Sequence, residues 1–329
     1  MNDTPSSQHL DTESPDDLQA IAAAIFARHG IDFADVRRGG GWTNAVWLAD
    51  GLVLRLCTTL ETGRLQRESR LATLFPPGVG YPALVDAGVT EGHAWTLAKR
   101  LPGRCLGEIW GELSWDERAT ALYDLWLRAE AVHAVPADAA AEIARTRAWF
   151  NANDPAEAEA GLSRLTDQAI LTRAEAATLR GDLRRFWEAL PATPLTLCHG
   201  DMTLDNAIWH AGHVIALIDF EHALIAPVHL DLNHLIKIAY GPSKGGSVSA
   251  ADQKGAAQLR RTAAILARPW LAQPGGKALL VGYAILLDLW RLEDWLAHAE
   301  GEGPLETWDP LRRVRALADG SHGYLAQLA

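Results

Sequence analysis

Five polar or charged side chains lie within one short and otherwise apolar stretch, "LCHGDMTLDNAIWHAGHVIALIDFEHA", which covers residues 197–223. They are His199, Asp201, Asn206, Asp219 and Glu221. Burying such groups costs free energy unless they are paired or bind a ligand. Each of them alone has an ordinary structural explanation, such as a turn or a capped strand end. The five together favour a site that binds a ligand or performs chemistry.

The interval between Asn206 and Asp219 predicts a hairpin that brings the two residues together. The strands "AIWH" and "HVIALID" flank Ala211-Gly212, a dipeptide suited to a tight turn. Asn206 begins the first strand and Asp219 ends the second, so their side chains should lie next to each other. Two oxygen ligands at the mouth of a hairpin, with a carboxylate on the preceding loop, suit a hard divalent ion such as magnesium.

The elements that must position these residues change in character along the chain. Residues 15–99 combine an opening helix with glycine-rich turns and strand patterns, which predicts an α+β lobe with a mostly antiparallel sheet. Residues 100–329 are helical in pattern apart from the stretch quoted above, and capping boxes at Ser114 and Thr172 open two long amphipathic helices. Residues 1–14 are polar and predict a disordered tail. We expect two lobes, a small sheet lobe and a larger, mostly helical one.

The overall composition limits the possible partners and the cellular compartment. Thirty basic residues against 41 acidic ones give a formal net charge of -11, which disfavours nucleic acid and anionic membranes as partners. The three cysteines lack CxxC spacing, which predicts reduced thiols in the core. The N-terminal residues form no secretory signal, and no apolar run is long enough to span a membrane. These features predict a soluble, cytoplasmic protein, whose oligomeric state the sequence leaves open.

The quoted stretch resembles the catalytic loop and metal-binding strand of the aminoglycoside phosphotransferase and choline kinase-like family. These are small-molecule kinases with a protein-kinase-like fold. The general kinase pattern is H-R-D-x-x-x-x-N followed by D-F-G. Here it reads His199-Gly200-Asp201, Asn206 and Ile218-Asp219-Phe220-Glu221, with Gly200 in place of the arginine and Glu221 in place of the glycine.

The resemblance implies a bilobal, protein-kinase-like fold of the α+β class, with ATP and Mg²⁺ as cofactors. It implies that Asp201 is the catalytic base and that His199 orients the loop. Asn206 and Asp219 would hold the magnesium ion. Glu221 would assist at the metal or cap the loop.

The resemblance extends to the amino-terminal lobe. The glycine-rich "GGGWTNAVW" would close over the ATP phosphates, and "TLAKRLPG" resembles the hinge that contacts the adenine edge. Arg55 occupies the place of the strand lysine of protein kinases, and its natural partner is Glu68 on the next helix. The residues expected to bind the nucleotide are Gly40, Gly41, Thr43, Asn44, Arg55, Glu68, Lys99 and Leu101.

The leading hypothesis is an ATP-dependent kinase that phosphorylates a hydroxyl group of a small molecule. The first alternative is a catalytically weak, kinase-like module that binds nucleotide and has a regulatory role. It is disfavoured because Asp201, Asn206 and Asp219 are all present. The second alternative is a metallohydrolase built on His199, Asp201, His210 and His213, which lacks a recognised zinc-binding pattern.

The acceptor is the least defined part of this hypothesis. Seven acids, including Asp288, lie between residues 288 and 309, and three tryptophans accompany them, including Trp295. Asp288 and Trp295 are seven residues apart and share one face of a helix. Carboxylates and aromatic rings together suit an ammonium group. The sequence therefore predicts a cationic acceptor, an amine-bearing alcohol or aminoglycoside-like sugar, bound by Asp288 and Trp295.

Overall fold

A computed structural model describes residues 15–40, 44–58, 63–148, 150, 154–240, 250–298, 303–319 and 323–328. Its amino-terminal part contains five strands, β1 (Arg37–Arg38), β2 (Asn44–Ala49), β3 (Leu52–Cys57), β4 (Leu84–Thr90) and β5 (His93–Lys99). They form one antiparallel sheet in the order β1-β2-β3-β5-β4. Two helices accompany it, α1 (Pro15–Arg28) and α2 (Gly63–Ala72). The tail predicted for residues 1–14 lies outside the described residues.

The register of the sheet places Arg55 on its central strand. β2 and β3 form a hairpin in which Ala49 pairs with Leu52, and Arg55 lies opposite Val46 on one side and Thr96 of β5 on the other. Helix α2 buries Leu65, Glu68 and Leu71, which recur every three residues and therefore share one face. A carboxylate on this otherwise apolar face requires a partner, and the central strand supplies it.

The rest of the chain is mainly helical. Its helices are α3 (Leu106–Ile109), α4 (Trp115–His133), α5 (Ala137–Ala141), α6 (Pro155–Asp167), α7 (Arg173–Ala189), α8 (His229–Tyr240), α9 (Ala250–Leu271), α10 (Gly276–His298) and α11 (Asp309–Ala318). The predicted capping boxes at Ser114 and Thr172 are present at the starts of α4 and α7. None of the helices in the described ranges is long and apolar enough to cross a membrane.

Short strands interrupt the helices where the polar stretch of residues 197–223 lies. They are β6 (Arg104–Cys105), β7 (Thr196–Cys198), β8 (Ala207–His210), β9 (His213–Leu217) and β10 (Leu224–Ala226). β6, β8 and β9 form one sheet, and β7 pairs with β10. The mixed α+β class, with an antiparallel sheet followed by a helical region, confirms the fold predicted from the sequence.

Helix α8 lies in the centre of the helical region. All of its residues from His229 to Ile236 are buried, including His229, Asp231, Asn233 and His234. It packs against α9 and α10. A helix that is buried on every side and yet carries polar side chains must direct those side chains to specific partners. Those partners include the backbone of the loop after β7.

Candidate active site

The loop after β7 adopts a conformation that requires glycine at position 200. Gly200 has φ +81°, in the left-handed region. A Cβ atom at this position would lie 2.3 Å from the carbonyl oxygen of His222, so that no larger residue fits without displacing the backbone. This close approach explains why glycine occupies the place of the arginine in the general kinase pattern.

The carboxylate of Asp231 on α8 holds this loop in place. Its Oδ2 accepts hydrogen bonds from the backbone N–H of His199 at 2.8 Å and its Oδ1 from that of Gly200 at 3.0 Å. The ring of His133 on α4 lies 3.0 Å from the same carboxylate. Burial opposes ionisation of Asp231, but the hydrogen bond and charge of His133 and the hydrogen bond from the backbone N–H of Gly200 outweigh it and lower its pKa. Asp231 is therefore an ionised clamp on the loop.

His199 connects the loop to the end of β9. Its Nε2 lies 2.9 Å from the carbonyl oxygen of Ile218, and its Nδ1 lies 3.3 Å from the backbone N–H of Asp201. Because the carbonyl can only accept and the N–H can only donate, the ring carries its proton on Nε2. The ring also packs against Phe220, with centroids 4.4 Å apart. The backbone N–H of Asp201, two residues further along the loop, is thereby held by a buried histidine.

Asp201 and Asn206 lie within direct hydrogen-bonding distance. The Nδ2 of Asn206 donates to the backbone oxygen of Asp201 at 2.8 Å and to its carboxylate Oδ2 at 3.2 Å. Since both bonds use the nitrogen of the amide, its oxygen is directed away from Asp201. The site thus presents one carboxylate and one amide oxygen, separated by five residues of chain.

The predicted hairpin is present, and it brings Ile218, the residue before Asp219, opposite Asn206. Ala211 and Gly212 have φ +49° and +85°, which are the values of a tight type I′ turn, and His210 pairs with His213 across it. At the open end of the hairpin, the N–H of Ile218 donates to the carbonyl of Asn206 at 2.9 Å.

Asp219 itself has φ +64°, which is uncommon outside glycine. Its side chain is 30% exposed and therefore open to a ligand. A strained backbone held in place by the surrounding fold is typical of functional sites.

Arg55 joins Asp219 to the amino-terminal sheet. Its Nη1 donates to Oε1 of Glu68 at 2.7 Å, and its Nη2 donates to Oδ1 of Asp219 at 2.8 Å. The hydroxyl of Tyr81 donates to the same Oε1 of Glu68 at 2.8 Å. Burial raises the pKa of Asp219, and the charge of Arg55 opposes this effect. The predicted pair of Arg55 and Glu68 is present, and it extends to Asp219 at the end of the hairpin.

Glu221 is enclosed by cationic neighbours. Its carboxylate lies 3.3 Å from Nε2 of His222 and 3.8 Å from Nη1 of Arg64 on α2, and only 3% of its side chain is exposed. The pKa of Glu221 is lowered to about 2: burial opposes ionisation, but the hydrogen bond and charge of His222 and the charge of Arg64 outweigh it. Glu221 is therefore ionised and tied into the loop. Its contact with a metal ion stays a prediction.

The remaining residues expected to bind nucleotide are only partly described. Gly41 and Thr43 lie outside the described residues, whereas Gly40 precedes that gap and Asn44 opens β2. Lys99 ends β5, and its N–H donates to the carbonyl of Ala83 at 2.8 Å, so this donor is already engaged.

Leu101 follows β5 and is half-buried at the start of the connection between the two regions. The roles of Gly40, Asn44, Lys99 and Leu101 at the nucleotide stay predictions.

The acids expected to face a cationic acceptor are already paired within the chain. Asp288 on α10 is completely buried, and its Oδ1 lies 3.0 Å from Nζ of Lys237 and 2.9 Å from Nε of Arg313. Trp295 is half-buried and packs edge-on against Trp308, with centroids 5.9 Å apart. Asp288 is therefore not available to a cationic acceptor, because the packing of α8 and α11 against α10 covers and neutralises it.

Sequence reasoning missed two polar residues of α8, of which His234 lies near the loop. His234 is 6% exposed, and burial lowers its pKa to about 4 although the charges of Asp201 and Asp231 act in the opposite direction. Lys237 lies one turn further along, next to Asp288. The signal was available, since the three residues Asp231, His234 and Lys237 recur every third position after the metal strand.

The set of residues required by a metallohydrolase is not brought together. His213 is exposed and lies 3.0 Å from Asp124 on α4, away from His199. The structure instead gathers the ligand atoms of His133, Cys198 and Asp231 within 4.8 Å. Burial raises the pKa of the Cys198 thiol well above its usual value, and this thiol donates to the carbonyls of Ala226 and Pro227.

Comparison with solved structures places the fold among kinases of small molecules. A thermostable mutant of aminoglycoside phosphotransferase APH(4)-Ia, solved with ADP and hygromycin B, superimposes with a TM-score of 0.63 and 14% identity, over 92% of this chain and 99% of that one. Wild-type aminoglycoside 2'-phosphotransferase-IIIa, solved with GDP, gives a TM-score of 0.62 and 16% identity, over 92% and 97%. A choline/ethanolamine kinase family protein from Mesorhizobium loti gives 0.60 and 18%, over 95% and 98%.

Comparison of the sequence itself gives the family directly. No curated protein matches the chain. The profile of the phosphotransferase enzyme family, in contrast, matches residues 36–267, which contain the central strand, the loop after β7 and the hairpin. With the clamped loop, the paired Asp201 and Asn206, and Asp219 at the hairpin mouth, the chain belongs to the phosphotransferase enzyme family.

Proposed function

We propose that this protein transfers the γ-phosphoryl group of ATP to a hydroxyl group of a small molecule. The observation that carries the proposal is the joint placement of Asp201, Asn206 and Asp219. Asp201 and Asn206 are hydrogen-bonded to each other on a clamped loop, and the hairpin brings Ile218, the residue before Asp219, opposite Asn206. Phosphoryl transfer depends mainly on positioning and electrostatic stabilisation, which such a preorganised site provides.

Asp201 serves as the base that accepts the proton of the acceptor hydroxyl. Its carboxylate is held by Asn206, and its backbone N–H is held by the His199 ring. His199 is itself fixed by the carbonyl of Ile218 and by Asp231, so the base cannot rotate freely away from the acceptor. A general base has to lie within hydrogen-bonding reach of the proton that it removes, and this support provides the necessary alignment.

The donor set at the hairpin mouth fits a magnesium ion. Asp219 offers a partly exposed carboxylate, and Asn206 retains its amide oxygen because its nitrogen is engaged by Asp201. Hard oxygen ligands of this kind are those that Mg²⁺ prefers. Bound with the nucleotide, the ion supplies neutralisation of negative charge on the phosphate oxygens. Asn206 and Asp219 would hold it, while Glu221, compensated by His222 and Arg64, positions the loop.

Arg55 provides a fixed positive charge next to this site. Glu68 and Tyr81 anchor the guanidinium group from α2 and the loop before β4, and Asp219 holds its other end. A planar group with several donors is suited to phosphate oxygens. Arg55 therefore orients the phosphates of the nucleotide, in the way that the strand lysine does in protein kinases.

A direct assay separates this function from the two alternatives. Release of ADP from ATP is measured with Mg²⁺ or Zn²⁺, with and without a panel of hydroxyl compounds, for the wild type and Asp201→Asn. Acceptor-dependent ADP release with Mg²⁺ that Asp201→Asn abolishes supports the kinase. Two further measurements cover the alternatives: Mg²⁺-dependent nucleotide binding by calorimetry without turnover of any acceptor supports a regulatory module, and Zn²⁺-dependent cleavage of a chromogenic ester in the absence of nucleotide supports a hydrolase. Either of these two results overturns the proposal.

A further inference from the structure

We infer that Tyr81 is a positioning residue whose hydroxyl keeps the guanidinium group of Arg55 divided between Glu68 and Asp219. The inference rests on the proposed function, in which Arg55 orients the phosphates of the nucleotide. It deepens that function because it identifies the side chain that keeps one nitrogen of Arg55 on the side of Asp219.

The carboxylate of Glu68 uses its two oxygens unequally. Its Oε1 accepts hydrogen bonds from Nη1 of Arg55 at 2.7 Å and from the hydroxyl of Tyr81 at 2.8 Å. Its Oε2 is buried and has no hydrogen-bond partner among the described residues. An arginine and a carboxylate frequently form two parallel bonds, one to each oxygen. The single bond between Arg55 and Glu68 departs from that arrangement.

The hydroxyl of Tyr81 accounts for this departure. Because Oε1 of Glu68 is held between two donors, the carboxylate cannot turn Oε2 towards the guanidinium group without lengthening the bond to Tyr81. A buried oxygen without a partner costs free energy. Once the hydroxyl is removed, the arrangement with two parallel bonds is therefore favoured. Arg55 then directs both of its bonds to Glu68 and releases Asp219.

The ring of Tyr81 is itself held in place by two aromatic side chains. It packs edge-on against Phe75 and Phe220, with ring centroids 5.5 Å and 5.7 Å away. Burial and the charge of Glu68 raise the pKa of the Tyr81 hydroxyl well above its usual value, so the hydroxyl keeps its proton and donates. Tyr81 thus contacts Glu68 through its hydroxyl and the residue after Asp219 through its ring.

The division of Arg55 matters because Nη2 is the nitrogen on the side of the proposed metal site. Nη2 donates to Oδ1 of Asp219 at 2.8 Å, whereas Nη1 is engaged by Glu68. A planar guanidinium group can serve two partners with separate nitrogens, but an ammonium group is a single point charge. The arrangement therefore depends on an arginine at position 55, where protein kinases have a lysine, together with a hydroxyl at position 81.

The structural test compares crystal structures of the wild type and Tyr81→Phe, both without nucleotide. Phenylalanine keeps the ring that packs against Phe75 and Phe220, and only the hydroxyl is lost. We expect both oxygens of Glu68 to accept from Arg55 in the variant, and Nη2 to lie beyond hydrogen-bonding distance of Asp219. A bond from Arg55 to Asp219 that is unchanged in Tyr81→Phe overturns the inference.

The binding test is calorimetric titration with Mg²⁺ and a non-hydrolysable ATP analogue. Tyr81→Phe is expected to raise the Kd for the analogue about tenfold, the effect of losing one hydrogen bond to the phosphates. Tyr123→Phe removes the hydroxyl of an exposed tyrosine on α4 and serves as the control. Equal affinities of the wild type and Tyr81→Phe overturn the inference.

The variant Arg55→Lys separates positioning from a general loss of stability. Lysine has one point charge and cannot be divided between two carboxylates. In the Arg55→Lys background, Tyr81→Phe is therefore expected to change the Kd by less than about twofold, even though the lost hydroxyl lowers the melting temperature in both backgrounds. A tenfold loss of affinity in this background as well contradicts the inference. If Arg55→Lys by itself abolishes binding, the crystal structures decide.

The wild-type titration distinguishes a failure of this inference from a failure of the proposed function. Absence of Mg²⁺-dependent binding in the wild type overturns both. Binding by the wild type that Tyr81→Phe does not weaken leaves the proposed function intact and overturns only the role of Tyr81.

Discussion

The guanidinium group of Arg55 lies between two carboxylates, and its Nη2 donates to Oδ1 of Asp219 at 2.8 Å across 164 residues of sequence. Its Nη1 donates to Glu68, so that one cation on the central strand holds both helix α2 and the end of the hairpin. The amino-terminal sheet and the proposed metal strand are therefore joined by a single side chain. The position of Asp219, and with it the geometry offered to a metal ion, depends on Arg55.

Replacement of Arg55 by methionine is expected to destabilise the fold by about 3 kcal/mol, because the fully buried Glu68 loses its compensating charge. The measurement is the free energy of unfolding from urea titration. Arg104→Met is the matched control, since Arg104 pairs with Glu112 on the surface and its loss should leave the unfolding midpoint unchanged. Equal midpoints for Arg55→Met and the wild type would show that the bridge contributes nothing.

Replacement of Asp201 by asparagine is expected to lower turnover by roughly 10²- to 10⁴-fold, the usual effect of removing a general base. The affinity for nucleotide should stay close to that of the wild type, because the proposed role of Asp201 is to accept the proton of the acceptor hydroxyl. Asp205→Asn changes an exposed carboxylate of the same loop and provides the control. Turnover is measured as the rate of ADP release, and the affinity for nucleotide is measured by calorimetry. Wild-type turnover in Asp201→Asn would remove it from the role of base.

Replacement of Asp219 by asparagine tests the metal site without disturbing the backbone, because asparagine tolerates the φ of +64° found there. We expect the Mg²⁺-dependent part of ATP affinity to be lost, since the ion needs the carboxylate charge. ATP affinity without Mg²⁺ should change little. The affinities come from calorimetry with and without the ion, after a cooperative melt has shown that the variant is folded. If Mg²⁺ increased the ATP affinity of the variant as much as that of the wild type, the ion would have to bind ligands other than Asp219.

Replacement of Gly200 by alanine is expected to be far more damaging than replacement of Gly212, although their φ values of +81° and +85° are nearly equal. Both changes incur the conformational cost of a left-handed alanine, about 1 kcal/mol. Only Gly200→Ala places a Cβ atom 2.3 Å from a carbonyl oxygen, whereas nothing lies within 4 Å of that atom at Gly212.

The overpacking at Gly200 should add about 1–3 kcal/mol and displace the catalytic loop. Thermal denaturation and turnover are compared for the two variants. Similar losses of stability and turnover in the two variants would show that the contact with His222 does not add to the effect of the substitution.

The stability of the protein in acid is expected to depend on Asp231. The pKa of Asp231 is lowered in the folded state, so the unfolded chain binds the proton more tightly. The stabilising contribution of Asp231 is therefore fully present above the pKa of the unfolded state, about 3.9. It is lost as the pH falls through the lower pKa of the folded state.

Asp231→Asn should lose about 3 kcal/mol at neutral pH, because an amide offers one acceptor where the carboxylate uses both oxygens. The free energy of unfolding of the variant should also fall less steeply as the pH is lowered. Urea titrations from pH 3 to 7 measure both effects, with the exposed Asp35→Asn as control. A decline in acid as steep as that of the wild type would contradict this prediction.

Much of the site could be predicted because its determinants are close together in sequence. Asp201 and Asn206 lie five residues apart, and the turn at Ala211 and Gly212 sets the register that brings Asp219 to the hairpin mouth. Turn chemistry and strand alternation operate over a few residues and can be read directly from a chain. The partnership of Arg55 and Glu68, in contrast, was predicted from the resemblance to kinases.

By itself, the sequence determined the family, the mixed α+β class and the loop with its polar residues. Only the tertiary structure decided which charges meet. The acids of α10 read as a surface for a cation, but the packing of α8 and α11 buries Asp288 and brings Lys237 and Arg313 to it. The physical reason is that the partner of a charged side chain depends on which helices pack together and on how far they exclude water. Neither quantity is a property of the residues within one helix.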